Sequence, residues 1–147
     1  MSAYKAVRFN APKFMPVTGA AVHLADYANV TTAASADTFD YFIPAGLEID
    51  AVSFQCNALD TNGSPTLAYK AGYFPVDSTS SLASVDNYFA PTASTGLRAG
   101  GRISCAFEPI TFNEDVILRV TLTAASATLP ASQKLWAIVS GNCNGPK

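Results

Sequence analysis

The sequence predicts an all-β fold, a jelly-roll-like antiparallel β-sandwich with one short helix in a loop. Three observations carry that prediction. Apolar residues recur at every second position in several short runs, most clearly at Val116, Leu118, Val120 and Leu122, which is the period of a half-buried strand. Turn chemistry separates these runs at about ten-residue intervals and gives roughly seven to nine short strands, the arrangement of a sandwich or jelly roll. No helical pattern long enough to connect parallel strands falls between them, which argues against a parallel α/β sheet.

Residues 1–17 mix aromatic and basic side chains, Tyr4, Lys5, Arg8, Phe9, Lys13 and Phe14, with Pro12 and Pro16. The prolines interrupt any regular helix or central strand. Two readings follow for this locally basic stretch: an extended N-terminal arm lying over a partner, or a plain first strand. The arm is adopted as residues 1–17, ahead of a single β-sandwich domain at residues 18–147, and those six side chains become the candidate contacts to a partner or a second subunit.

Residues 38–43 alternate, with Phe39, Tyr41 and Ile43 on one face, and Pro44-Ala45-Gly46 supplies a turn. Residues 47–59 alternate first as Leu47, Ile49 and Ala51, then as Val52, Phe54 and Cys56. A one-residue change of phase is what a β-bulge produces. Asp60-Thr61-Asn62-Gly63-Ser64-Pro65 has hairpin-type turn chemistry, and residues 66–74 alternate again through Leu67, Tyr69, Ala71 and Tyr73.

Between residues 80 and 89 the apolar Leu82, Val85, Tyr88 and Phe89 fall at helical spacing, with Ser80 or Ser81 placed to cap the start. This is the predicted short helix. Gly96, Gly100 and Gly101 end it and lead into a strand over 102–112, with Ile103, Cys105 and Phe107 on one side and an interruption at Glu108-Pro109. A turn at Phe112-Asn113-Glu114-Asp115 precedes the strand at 116–123. Residues 124–132 are small and turn-prone, and 134–140 form a last strand with Trp136 and Ile138 on one face. Trp136 is expected to fill the core, an interface anchor being the alternative.

At 147 residues the chain has the size of one domain, able to bury roughly 68–70% of its unfolded surface without disulfides or metal. Charged residues make up 14% of the chain, against roughly 25% in ordinary soluble domains. Much of the surface is therefore left to Ser, Thr, Ala, Gly and Asn, which suits packing against partners. A net charge of −2 and a pI of 5.1 lack the basic footprint of a nucleic-acid binder. No apolar run has signal-peptide or membrane-spanning length, so the expectation is a chain made in the cytoplasm with neither nucleic acid nor membrane as partner. Cys56, Cys105 and Cys143 are odd in number and far apart, which favours buried thiols, an inter-subunit cross-link through Cys143 being the minor option.

Residues that could carry chemistry are few. His23 is the only histidine and has no nucleophile motif around it, and no phosphate-binding glycine loop occurs. Glu114-Asp115 and Glu48 with Asp50 are carboxylate pairs of the kind a glycosidase uses, but turn formation and solvation account for them. Asp60-Thr61-Asn62-Gly63 has part of a calcium loop's oxygen pattern and lacks the distant bidentate Glu. No catalytic, cofactor or metal residue is assigned, and the chain is expected not to be an enzyme.

Three stretches resemble a known family. They are Phe42-Ile43-Pro44-Ala45-Gly46 with Ile49-Asp50, then Leu59-Asp60-Thr61-Asn62-Gly63-Ser64-Pro65-Thr66-Leu67, then Phe107-Glu108-Pro109-Ile110-Thr111-Phe112-Asn113-Glu114-Asp115 running on to Val120-Thr121-Leu122-Thr123-Ala124-Ala125. In order and spacing they are similar to the head decoration, or cement, proteins of tailed bacteriophages. The resemblance implies a jelly-roll-like subunit on the outer capsid surface of a virion. It would bridge neighbouring major capsid protein subunits and act as a homo-oligomer, with a homodimer favoured over a homotrimer. Tyr4, Lys5, Arg8, Phe9, Lys13 and Phe14 lie outside the matching stretches and remain a separate expectation for capsid or subunit contact. Two rivals stand beside it: a carbohydrate-binding β-sandwich of lectin or tail-fibre type, with Tyr41, Tyr69, Tyr73 and Trp136 as an exposed platform, and a jelly roll that builds its own shell.

Overall fold

The structure, a computed structural model, describes residues 1–10 and 19–144. Among the described residues there are ten strands: β1 (Ala3–Lys5), β2 (Ala21–Val30), β3 (Thr38–Ile43), β4 (Leu47–Cys56), β5 (Ala68–Pro75), β6 (Val85–Ser94), β7 (Gly101–Ser104), β8 (Ile110–Thr111), β9 (Val116–Ala124) and β10 (Gln133–Cys143). They form a front sheet in the order β1-β3-β9-β5-β6 and a back sheet in the order β2-β10-β4-β7, with β8 beside β4. Setting aside the short β1 and β8, the chain passes back, front, back, front, front, back, front, back, the strand order of a jelly roll. All pairings are antiparallel except that of β1 with β3.

One core lies between the sheets. Its front wall is Phe39, Tyr41, Ile43, Tyr69, Ala71, Tyr73 and the four alternating residues of β9; its back wall includes Ile49, Val52, Phe54, Leu135, Ala137 and Val139. The change of phase in β4 is a bulge: Ile49 pairs with Gly141 and Ala51 with Ser140, leaving Asp50 unpaired between them. The extra residue lets Leu47 and Ile49 point inward on one side of it and Val52 and Phe54 on the other. The sheet is so tight there that a Cβ on Gly141 would stand 1.8 Å from the Glu48 carbonyl oxygen. Across the core, the Tyr41 hydroxyl donates to the Leu135 carbonyl at 2.6 Å and ties the front sheet to the back.

Three expectations are corrected. Among the described residues there is no helix, and the stretch expected to contain one contributes β6, paired with β5. Two register shifts in that pairing advance the phase of β6, so that Tyr88 and Phe89 both meet Tyr73 and imitate helical spacing. Ser80 caps nothing; its hydroxyl accepts from the Leu82 N–H and donates to Glu114. The Asn62-Gly63 pair closes no hairpin, because β4 and β5 belong to opposite sheets. Trp136 is not in the core: Leu135, Ala137 and Val139 take the inward positions of β10, and Trp136 stands half-buried on the outer face.

The loop after β4 is organised by Asp60, only 5% exposed. Its carboxylate accepts from the backbone N–H groups of Thr66 (2.8 Å), Leu67 (3.1 Å), Ala127 (3.1 Å) and Thr128 (3.1 Å), which joins the β4–β5 crossing to the β9–β10 loop. Desolvation pushes this carboxyl up, but those four donors outweigh it and hold it well below the usual carboxylate range. A carboxyl lowered in this way contributes stability that is complete above its unfolded value of about 4 and is lost as pH falls toward the folded value.

Two predictions follow from the packing. Leu118→Ala should cost about 2–5 kcal/mol and Tyr41→Phe about 1–3 kcal/mol, the latter through the stranded Leu135 carbonyl, both read from urea midpoints at neutral pH. Asp60→Asn should lower the midpoint at pH 7 and flatten the loss of stability that the unmodified chain shows between about pH 5 and pH 2; an unchanged acid slope in the variant would contradict the clamp.

Candidate functional site

Residues 3–9 pack onto the sandwich. Tyr4 stacks on Phe39 with ring centroids 5.2 Å apart, and its hydroxyl hydrogen-bonds with Thr32. Phe9, 8% exposed, meets Phe42 edge-on at 5.9 Å, and the Lys5 ammonium lies 4.8 Å above the Phe9 ring. Backbone N–H groups of Val7 and Arg8 donate to the Tyr27 carbonyl and the Asp26 carboxylate, both at 2.8 Å. Of the six candidate contact residues, Tyr4 and Phe9 therefore turn their rings toward their own chain, while Lys5 and Arg8 are exposed. Lys13 and Phe14 lie outside the described residues.

A different surface assembles on the outer face of the back sheet. Strand register places Tyr27 of β2, Trp136 of β10, Gln55 of β4 and Arg102 of β7 side by side in one row across four strands. Tyr27 and Trp136 pack with centroids 4.8 Å apart, and the Lys134 ammonium stands 4.7 Å from the Tyr27 centroid. Ile138 lies in the next row, so a small apolar patch is left on a solvent face. Sequence reasoning missed this row because its members are far apart in the chain and form no motif.

Beside Trp136 opens a cleft of about 460 Å³, bordered by Gln55, Asn57, Arg102, Ser132, Lys134 and Trp136. Its rim is held closely. Gly100, which also shapes that end, has φ +75°, and a Cβ there would come within 2.5 Å of the Asn57 carbonyl carbon. Leu59 and Asp60 donate N–H bonds to the carbonyls of Leu97 and Arg98, so the Asp60 clamp braces the same end of the sandwich. Chemically the cleft offers hydrogen-bond donors around one flat aromatic ring.

Elsewhere the reactive side chains have local partners. His23 Nδ1 is 3.1 Å from the Ser140 hydroxyl. Glu48 accepts from the Asn144 amide, Glu114 from Ser80 and Asp115 from the Ala45 N–H. Burial pushes the Cys56 thiol up to about 11 and that of Cys105 up to about 12, which keeps both uncharged; Cys143 is buried. No group of three His, Cys, Asp or Glu able to hold a metal ion occurs among the described residues. Tyr41, Tyr69 and Tyr73 are buried, so of the four residues considered as a sugar platform only Trp136 faces outward. No helix among the described residues is long and apolar enough to cross a membrane.

No family model matches the chain, and no curated protein matches it significantly. Solved structures do. A chain of the capsid of Ralstonia phage GP4 superposes with a TM-score of 0.74 over 99% of this chain and 100% of its own, at 19% identity. A chain of the capsid asymmetric unit of cyanophage Pam1 superposes with a TM-score of 0.68 over 90% of this chain and 91% of its own, at 20% identity. At these identities the likeness is one of fold.

The N-terminal packing generates its own test. Phe9→Ala should cost about 3 kcal/mol through lost ring packing, whereas Lys5→Ala should cost no more than about 1 kcal/mol, the worth of an exposed cation–π contact. Thermal melts of the two variants beside the unmodified chain check this.

Proposed function

We propose that the protein is a virion structural component that binds the outside of a phage capsid and stabilises it by bridging major capsid protein subunits. The observation that carries this reading is the end-to-end structural likeness to chains of two phage capsids. The match covers 99% of this chain and 100% of the first neighbour, and 90% and 91% for the second, so the whole sandwich is what the chains share. The low content of charged residues and the aromatic patch left on a solvent face support the same reading.

The physics of such a role is binding and not bond-making. A protein that binds the assembled lattice better than free capsid subunits stabilises the lattice by mass action. A homodimer, or a homotrimer, gains further, because the second contact is made from a subunit already anchored and therefore at high effective concentration. Lys5 and Arg8, both exposed, are the proposed subunit or capsid contacts of the N-terminal segment, and the back-sheet face offers a second surface. The function needs no cofactor, no metal and no catalytic residue.

Co-sedimentation with empty heads of the phage that encodes the chain, alongside size-exclusion chromatography with light scattering, tests the proposal. Stable oligomers that pellet with the heads at a fixed ratio are expected. A monomer that stays in the supernatant would contradict it, and a glycan-array signal from that monomer would favour the lectin reading.

A further inference from the structure

The cleft beside Trp136 is basic on an acidic chain. The chain carries 11 acidic and 9 basic residues, yet the cleft is bordered by Arg102 and Lys134 and by no Asp or Glu. Other cations of the strands and their loops have partners within the chain: Arg119 pairs with Asp40, Lys70 pairs with Asp86, the Arg98 guanidinium donates to the Leu67 carbonyl, and Lys5 lies over the Phe9 ring. Among the described residues Arg102 has no anionic partner, and Lys134 has only the Tyr27 ring. The cleft is also lined by Gln55, Asn57, Ser132 and Trp136, whose amide, hydroxyl and indole N–H groups can donate.

We infer that this cleft captures a carboxylate-bearing segment of the capsid partner, the carboxylate met by the Arg102 guanidinium with the Lys134 charge on the same rim, and the apolar part of the segment laid on Trp136. The inference rests on the capsid reading above and names the chemistry of the partner surface. A guanidinium presents a planar pair of N–H donors that matches a carboxylate, and charge-assisted bonds of this kind are about twice as strong as neutral ones. The methylene groups of an Asp or Glu side chain find the flat face of a half-buried indole beside those donors. A run of phosphates is the poorer fit, because the net charge of −2 repels an extended polyanion and only two cations flank the cleft.

Both charged side chains are exposed, so Arg102→Gln with Lys134→Gln leaves the core untouched, and an unchanged melting temperature verifies this. In titrations of heads from the same phage, followed by sedimentation, the double variant should bind about tenfold more weakly or worse. Arg102→Lys should lose less, since it keeps the charge and forfeits the fork, and Lys70→Gln should bind like the unmodified chain. Trp136 is the only tryptophan, so its emission should shift when the unmodified chain binds. Equal binding by the double variant overturns this inference and leaves the capsid reading standing. Failure of the unmodified chain to bind heads overturns both. Binding of a single-stranded DNA oligonucleotide that disappears in the double variant overturns the carboxylate assignment.

Discussion

The carboxylate of Asp60 is the interaction on which one whole end of the molecule depends. It brings a charge to a place only 5% exposed, where a charge without partners would cost more than the fold could sustain. Backbone N–H groups from two crossings that are far apart in sequence converge on it. By satisfying them together it holds the β4–β5 crossing against the β9–β10 loop, and the adjacent bonds to Leu97 and Arg98 bring in the segment leading to β7. Three connections that would otherwise move independently form one braced edge. The cleft beside Trp136 opens at that edge, so its donors stand on a supported frame, the condition for binding without paying to order the site first.

The remaining organisation follows from the pleat. A strand offers alternate residues to opposite faces, and two stacked sheets bury only the inner set. What stands on the outer faces is then free to serve a partner. On the front sheet the outer side chains are tied up with one another, Arg119 chelating Asp40 while lying over Phe74. On the back sheet Tyr27 and Trp136 pack on each other and Lys134 lies over Tyr27, but among the described residues the row through Tyr27, Trp136, Gln55 and Arg102 carries no ion pair. That contrast, more than any single residue, makes the back face the candidate docking surface for a capsid component.

Much of the fold was legible because period-two alternation is unambiguous when one phase is apolar and the other polar. β3 and β9 declare themselves this way, and even the bulge in β4 is written as a shift from Leu47 and Ile49 to Val52 and Phe54. β6 was not legible, because its own bulges turned a strand's spacing into an imitation of a helix, and only its pairing with β5 distinguishes the two. β10 failed for another reason: both of its phases are apolar, Leu135, Ala137 and Val139 against Trp136 and Ile138. A signal was nevertheless present, since Lys134 and Ser140 share the phase of Trp136 and mark it as the outer one. The cleft could not be read at all, because Gln55, Arg102 and Lys134 become neighbours only through the register of three strands.

The central claim is that the chain binds the outside of an assembled capsid and spans its subunits. Electron cryo-microscopy of phage heads with and without the added protein tests it most directly. The expected result is new density on the outer surface that bridges adjacent capsid subunits, fits the two-sheet sandwich and meets the head through the back-sheet face at Trp136. Density inside the shell, density on the tail alone, or heads that look the same with and without the protein would contradict it.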